Sequence, residues 1–200
     1  MSVHRSSIRL ILLTALLGGC SWLQPEPPMS GTLLAMQSSA TMTDWRISGK
    51  VGLRGTDFAE SAYLNWQQCG DDYTITLSGP LGQGAARIQR ANQRVVLTLD
   101  NRRLEGDSAE QLLQDEFGWA LPVQELYYWS RGLPAPGSRY HINKEGNSFS
   151  QSGWQLLYPK VTTSGSYTLP TRVVAMQPDL KVTLLIGEWQ TDTQCPTDTP

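Results

Sequence analysis

Apolar and polar residues alternate along two stretches of the chain, a pattern typical of β-strands that bury one face. The first stretch predicts strands at 45–54, 62–67, 73–78, 86–89 and 95–99. The second predicts strands at 140–142, around Phe149, and at 154–158, 173–176 and 182–189. Short turns such as Gly70-Asp71-Asp72 join the strands of the first stretch, so we expect an antiparallel meander, because parallel pairs need long crossovers.

The last predicted strand carries apolar residues on both faces. Val182, Leu184 and Ile186 share one face, whereas Leu185 and Trp189 lie on the other. We therefore expect this strand to be covered on both sides.

Between the two stretches the pattern changes to that of helices. Asp107 is a candidate N-cap with Glu110 three residues later, and Gly118 can end this first helix. Pro122 suits the first turn of a second helix. A shorter helix is predicted around residues 33–40.

Many strands around two consecutive helices predict a mainly β, α+β fold with helices packed on the inner face of a curved sheet. An apolar cavity between helices and sheet would offer a ligand site. Its predicted lining is Leu64, Trp66, Ile75, Leu77, Ile88, Leu97, Leu126, Trp129, Leu184 and Ile186. Alternation reports burial and not emptiness, so a filled core is the simpler interpretation of the same residues.

The N-terminal residues have the features of an export signal. A basic start and an eight-residue apolar run, too short to span a membrane, precede Gly18-Gly19-Cys20. This segment resembles a bacterial lipobox, which implies cleavage before Cys20 and its lipidation; the alternative is an ordinary signal peptide. An Asp directly after the lipidated Cys resembles the inner-membrane retention signal of enterobacterial lipoproteins. This chain has Ser21 at that position, which favours the outer membrane. We expect a signal peptide (1–19), a lipidated, Pro-rich tether (20–30), one domain (31–190) and a loose tail (191–200).

Composition and motifs argue against several other functions. The chain has 18 acidic and 16 basic residues without basic runs, so nucleic acid is not an expected partner. No cofactor motif or metal-ligand spacing is present, and His141 lacks the motif of a serine hydrolase. Cys69 and Cys195 could form a disulfide in an oxidising compartment or remain two thiols. We expect no catalysis, cofactor or metal.

Several segments, in this order and spacing, resemble the LolB family of outer-membrane lipoprotein receptors. The segments are the strand around Gly49-Lys50, Asn65-Trp66-Gln67-Gln68, Gly79-Pro80-Leu81-Gly82, Leu121-Pro122-Val123, Gly132-Leu133-Pro134, Gln151-Ser152-Gly153-Trp154 and Leu169-Pro170. Cys69, Cys195 and the acidic tail are departures from the family pattern.

The resemblance implies an unclosed antiparallel β-barrel with a helical lid over an apolar cavity. It also implies a monomeric receptor that takes client lipoproteins from a LolA-like periplasmic carrier, holds their acyl chains and inserts them into the outer membrane. The family's membrane-inserting residue corresponds to Leu81, the one large apolar residue of a Gly/Pro loop; the alternative is a Leu packed into the body. A structural envelope lipoprotein and a hydrolase that uses His141 are the competing hypotheses.

Overall fold

A computed structural model describes residues 32–79 and 85–195. The predicted signal peptide, Cys20, the tether and Leu81 lie outside the described residues. The helices are α1 (Thr32–Met36), followed by a 3₁₀ turn (Gln37–Thr41), α2 (Ala109–Phe117) and α3 (Val123–Trp129). The strands are β1 (Asp44–Arg54), β2 (Ala59–Cys69), β3 (Asp72–Ser78), β4 (Ala86–Ala91), β5 (Arg94–Leu99), β6 (Arg102–Gly106), β7 (Tyr140–Ile142), β8 (Ser148–Gln151), β9 (Trp154–Ser164), β10 (Tyr167–Gln177) and β11 (Leu180–Gln190).

The described strands form one antiparallel sheet in the order β6-β5-β4-β3-β2-β1-β11-β10-β9-β8-β7. The first strand of the chain therefore lies at the centre, and the two edges are β6 and β7. The predicted open, mainly β architecture is confirmed. None of the helices in the described part of the chain is long and apolar enough to cross a membrane.

The helices between β6 and β7 begin and end with recognisable signals. The N-cap of α2 is Ser108, whose hydroxyl accepts a hydrogen bond from the backbone N–H of Gln111, so the predicted cap at Asp107 is wrong by one residue. Gly118 ends α2 at φ +78°, as predicted, because glycine adopts left-handed backbone without a steric penalty. Pro122 directly precedes α3.

The core lies on the inner face of the sheet and is rich in aromatic side chains. Trp45 is fully buried and contacts the rings of Trp66, Tyr127 and Trp189, with centroids 5.0–6.1 Å apart. Offset and tilted aromatic pairs of this kind stabilise a core beyond their buried area. Since Tyr127 belongs to α3, these rings hold α3 against the centre of the sheet.

A buried arginine joins the first helical turns to the end of α3. Arg131 is 1% exposed, donates hydrogen bonds to the carbonyls of Ser39, Met42 and Tyr127, and lies 4.1 Å from the Tyr127 ring centroid. Three carbonyls and an aromatic face replace the solvation that burial removes. Arg131 therefore joins two segments, the 3₁₀ turn with its C-cap Met42 and the end of α3.

The outer face of β11 is open to solvent, which contradicts the expectation that this strand is covered on both sides. Val182, Leu184 and Ile186 are buried on the inner face, but Leu185 is 45% exposed. The helices pack against only one face of the sheet, so the apolar outer residue of β11 has no covering layer.

A disulfide bond joins Cys69, at the end of β2, to Cys195, five residues beyond β11. The two Cα atoms are 5.7 Å apart, and the bond encloses a sequence separation of 126 residues. Residues 191–195, which we expected to be loose, are thus attached to the opposite half of the sheet. This bond crosses the end of β1, since β1 lies between β2 and β11.

Candidate functional site

An apolar cavity of about 450 Å³, here called the inner cavity, lies between the sheet and α2. Inner-face side chains of β1–β5 form one wall, and Leu113, Phe117 and Trp119 form the other. Its lining is Val51, Leu53, Phe58, Glu60, Ser61, Ala62, Leu77, Ala86, Ile88, Leu97, Leu99, Leu113, Phe117 and Trp119. Glu60 and Ser61, near the start of β2, are exposed, so the polar part of the lining is at the surface. The other lining residues are apolar.

A smaller space of about 50 Å³, the deep cavity, continues toward α3. It shares six lining residues with the inner cavity: Val51, Leu53, Leu77, Ile88, Leu113 and Trp119. The remaining lining is Leu64, Trp66, Ile75, Leu121, Val123, Leu126, Val182 and Leu184. All of these side chains are apolar, so the deep cavity suits hydrocarbon and offers a polar group no side-chain partner.

A row of three aromatic rings separates the inner cavity from a second opening. Trp119 stacks on Phe58 at 6.4 Å and on Phe117 at 5.4 Å between centroids. On the other side of these rings is a pocket of about 560 Å³, the mouth pocket, which also includes Asp57 and Asp179. Trp119 is on the linker between α2 and α3, so its position depends on both helices.

The two helices of the lid are connected to each other and to the sheet by specific hydrogen bonds. A carboxylate oxygen of Glu110, in α2, accepts from the backbone N–H of Gln124, in α3. The indole N–H of Trp129 donates to Gln151, and the Tyr158 hydroxyl donates to the Trp129 carbonyl. These bonds hold the end of α3 on β8 and β9 while α2 lies over the cavity.

Three phenols of the core, Tyr73, Tyr127 and Tyr158, have raised pKa values. Desolvation raises the pKa of Tyr73, and the negative charge of Glu110 raises it further. Burial alone raises the pKa of Tyr158, and burial also raises the pKa of Tyr127 despite the opposing charge of Arg131. Each of these phenols therefore ionises at a higher pH than an exposed tyrosine does.

The predicted lining residues divide into two groups. Leu64, Trp66, Ile75, Leu77, Ile88, Leu97, Leu126 and Leu184 line one or both of the two cavities. Trp129 and Ile186 line neither: Trp129 is fully buried and packs on Trp154, and Ile186 is buried in β11 beside a bulge. All ten side chains are buried or half-buried, but only eight line the inner or the deep cavity.

The α2 side of the cavity and the aromatic row were not predicted from the sequence. Phe58 and Trp119 lie in connections outside the predicted strands and helices, where periodicity gives no signal. A large aromatic residue between Gly118 and Pro122 was the available indication, because connections are usually polar. Val51 and Leu53 line both cavities, and their signal was the alternating pattern of β1.

His141 is on the exposed edge strand β7, opposite Ser150 of β8. Within residues 32–79 and 85–195, no group of three or more His, Cys, Asp or Glu side chains is arranged to hold a metal ion. The apolar lining of the inner cavity can exclude water from an apolar ligand and hold it between the sheet and the lid.

Comparison with known proteins decides the family. The model of the family "Outer membrane lipoprotein LolB" matches residues 43–189. The chain belongs to the LolB family. The outer-membrane lipoprotein LolB of Pseudomonas syringae pv. syringae is 42% identical over 189 residues, covering 89% of this chain and 92% of that protein. LolB of Chromohalobacter salexigens is 37% identical over 188 residues, covering 90% and 88%.

Solved structures support the same architecture. A LolA superfamily protein from Nitrosomonas europaea superposes with a TM-score of 0.50 at 8% identity, covering 83% of this chain and 94% of that one. A DUF1329 family protein from Desulfovibrio piger gives a TM-score of 0.54 at 7% identity, covering 84% and 93%. At such low identity the likeness concerns the fold alone.

Membership of the LolB family makes this chain an outer-membrane lipoprotein.

Proposed function

We propose that this chain is the outer-membrane receptor for lipoproteins arriving on a periplasmic carrier. In this proposal the inner cavity holds their acyl chains, and the lipoproteins then pass into the membrane without any covalent step. The observation that carries the proposal is the unfilled, apolar inner cavity under the lid helices. Family membership supports it, because the relatives are outer-membrane lipoproteins.

The energetic need for such a cavity follows from the acyl chains. Exposing three chains of about 16 carbons to water costs tens of kcal/mol, at about 0.8 kcal/mol per methylene. An apolar cavity that replaces the bilayer removes most of this cost. Transfer between carrier and receptor then needs only a modest affinity difference, since a factor of ten corresponds to about 1.4 kcal/mol.

The size of the cavity limits how many chains fit without movement of the lid. Taking roughly 30 Å³ per methylene, the volume of a water molecule in the liquid, a chain of about 16 carbons needs about 480 Å³. The inner cavity, at about 450 Å³, matches one such chain. We propose that further chains use the mouth pocket, which requires displacement of Trp119.

Binding of a fluorescent palmitoyl probe tests the proposal. The protein is the mature chain, residues 20–200, with Cys20→Ser so that no anchor is attached. Ala62→Phe and Ala86→Phe place rings in the inner cavity, and we expect each to weaken probe binding at least tenfold. Ala91→Phe, on the exposed outer face of β4, is the matched control. Equal binding by all four proteins contradicts the cavity; no binding by the parent favours a structural envelope lipoprotein.

Leu81 is proposed as the residue that enters the membrane during release. Because the strands are antiparallel, the ends of β3 and β4 that flank residues 80–84 lie at the same end of the sheet as the β1–β2 turn, which carries Phe58. We expect Leu81→Glu to leave acceptance from a lipid-loaded carrier unchanged and to reduce release into vesicles. Unchanged release would remove Leu81 from the mechanism.

A further inference from the structure

The outer face of strands β1, β11, β10 and β9 carries exposed cations at opposed positions. Lys50 of β1 lies opposite Leu185 of β11, Leu185 lies opposite Arg172 of β10, and Arg172 lies opposite Lys160 of β9. Directly opposed residues of an antiparallel pair share a face, so these four side chains form one row. A register shift between β9 and β10 brings Lys160 to the same outer face as Arg172, where it is exposed. With strands about 4.8 Å apart, the row is about 14 Å long.

A second row adds two more cations to the same face. Arg54 of β1 lies opposite Lys181 of β11, and both are exposed. We call Lys50, Arg54, Lys160, Arg172 and Lys181 the basic patch. In the part of the chain that the structure describes, none of these five is paired with a carboxylate.

Acidic residues are scarce on these strands. Strands β9 and β10 contain none, β1 contains Asp44 at its first position, and β11 contains Glu188. The Asp44 carboxylate accepts from the backbone N–H of Gly70, and Glu188 accepts a hydrogen bond from the Ser48 hydroxyl. Neither belongs to the two rows of the basic patch.

The opposite side of the molecule has the opposite charge. Helices α2 and α3 contain no Lys or Arg and carry Glu110, Asp115, Glu116 and Glu125. Only Glu116 among these is in an ion pair, with Arg102. A chain with more acidic than basic residues thus presents a locally positive outer face and a negative lid, which favours one orientation beside an anionic surface.

Two uncharged side chains make this face suitable for a lipid interface. Tyr63 is 52% exposed and lies opposite Lys50, whose ammonium is 5.1 Å from the Tyr63 ring centroid. Leu185 is 45% exposed at the middle of the first row. Both side chains line a shallow groove of about 610 Å³ that also includes Gly49 and Gly187 and has one acidic residue, Glu188, at its border. Exposed Tyr and Leu among Lys and Arg is the composition of surfaces that lie on bilayers.

We propose that the basic patch, with Tyr63 and Leu185, rests on the anionic phospholipid headgroups of the outer membrane. Three observations favour anionic phospholipid as the partner of this face: its positive charge, its exposed Tyr63 and Leu185, and the membrane location shared with the family. In this orientation the lid faces away from the bilayer, toward an arriving carrier. The proposal depends on membrane location and not on the acyl-binding cavity, so the two can fail separately.

Vesicle co-sedimentation tests the proposal on the mature chain, residues 20–200, with Cys20→Ser. The probes are phosphatidylcholine vesicles with and without phosphatidylglycerol, at low and high salt. The patch variant combines Lys50→Gln, Lys160→Gln and Arg172→Gln. The matched control combines Arg87→Gln, Arg94→Gln and Arg139→Gln, three exposed cations outside the patch.

We expect the parent to bind phosphatidylglycerol vesicles at low salt and to be released by high salt. The patch variant should bind about a hundredfold more weakly, at about fivefold for each cation, and the control should bind like the parent. Palmitoyl-probe binding should be unchanged in both variants, which separates this result from the proposed function.

Three results overturn the proposal. The first is equal binding of the parent to vesicles with and without phosphatidylglycerol. The second is equal loss in patch and control variants, which indicates overall charge alone. The third is normal vesicle binding of the patch variant together with failed acceptance from the carrier, which assigns the patch to an acidic protein partner instead.

Discussion

Removal of the Cys69–Cys195 bond should lower the free energy of unfolding substantially, and the loop length gives the size of the effect. The bond closes a loop with a sequence separation of 126 residues. In the chain-entropy description, a loop of this length restricts the unfolded state by about 16 cal/mol/K, or about 5 kcal/mol at 25 °C. Because loss of native disulfides typically costs about 2–5 kcal/mol, we expect Cys69→Ser with Cys195→Ser to lower the free energy of unfolding by about 3–5 kcal/mol.

Urea unfolding followed by circular dichroism measures this difference. The denaturant slope should rise in the double variant, because an unfolded chain without the cross-link exposes more surface. The melting temperature should fall by about 10 °C, at roughly 2–4 °C per kcal/mol for a chain of this size. Parent protein treated with a reductant is the control and should behave like the double variant.

A difference below about 1 kcal/mol between parent and double variant would show that the bond does not stabilise the fold. It would mean either that the two cysteines are unpaired in the folded protein or that the unfolded chain gains no freedom when the bond is removed. Mass spectrometry of the alkylated parent distinguishes these cases, since a free thiol takes up the label and a disulfide does not.

Three further predictions concern the lid, the buried cation and the buried phenols. Trp119→Ala should speed exchange of a bound palmitoyl probe, measured by stopped flow, because it removes the ring between the inner cavity and the mouth pocket; unchanged exchange would exclude this ring as a barrier. Arg131→Met should lower the free energy of unfolding by about 2–4 kcal/mol, since three buried carbonyls lose their donor; urea titration measures it, and a change below about 1 kcal/mol would count against it. Tyr73, Tyr127 and Tyr158 have raised pKa values, so each resists ionisation in the folded state more than in the unfolded state. Their contribution to stability is therefore complete below about pH 10 and decreases as the pH rises above it. Urea midpoints that stay constant from about pH 9 to about pH 11 would contradict this.

Most strands could be predicted because one face of each is apolar. Strand β6 could not, since Arg102-Arg103-Leu104-Glu105-Gly106 has one apolar side chain and lies at the edge of the sheet. Edge strands need less apolar surface than central ones, and their alternation is correspondingly weak. The exposed Leu185 shows the converse, because an apolar side chain in a strand does not guarantee a covering layer.

The cavity was only partly predictable for a physical reason. Trp129 and Leu126 share a helix and are both buried, but Leu126 borders the deep cavity whereas Trp129 is surrounded by Gln151, Trp154 and the Tyr158 hydroxyl. Periodicity selects both equally, because burial depends on the face of the helix. Emptiness depends on how side chains of distant strands meet, which no local pattern encodes.

The strand order has a mechanical consequence for the lid. The two free edges of the sheet, β6 and β7, are consecutive in the chain, and the segment that connects them is the one that contains α2 and α3. The helical segment is thus attached to both edges, through residues 107–108 on the β6 side and residues 130–139 on the β7 side. We expect a guest that spreads the edges to displace its own cover as well, because the cover is covalently joined to both edges.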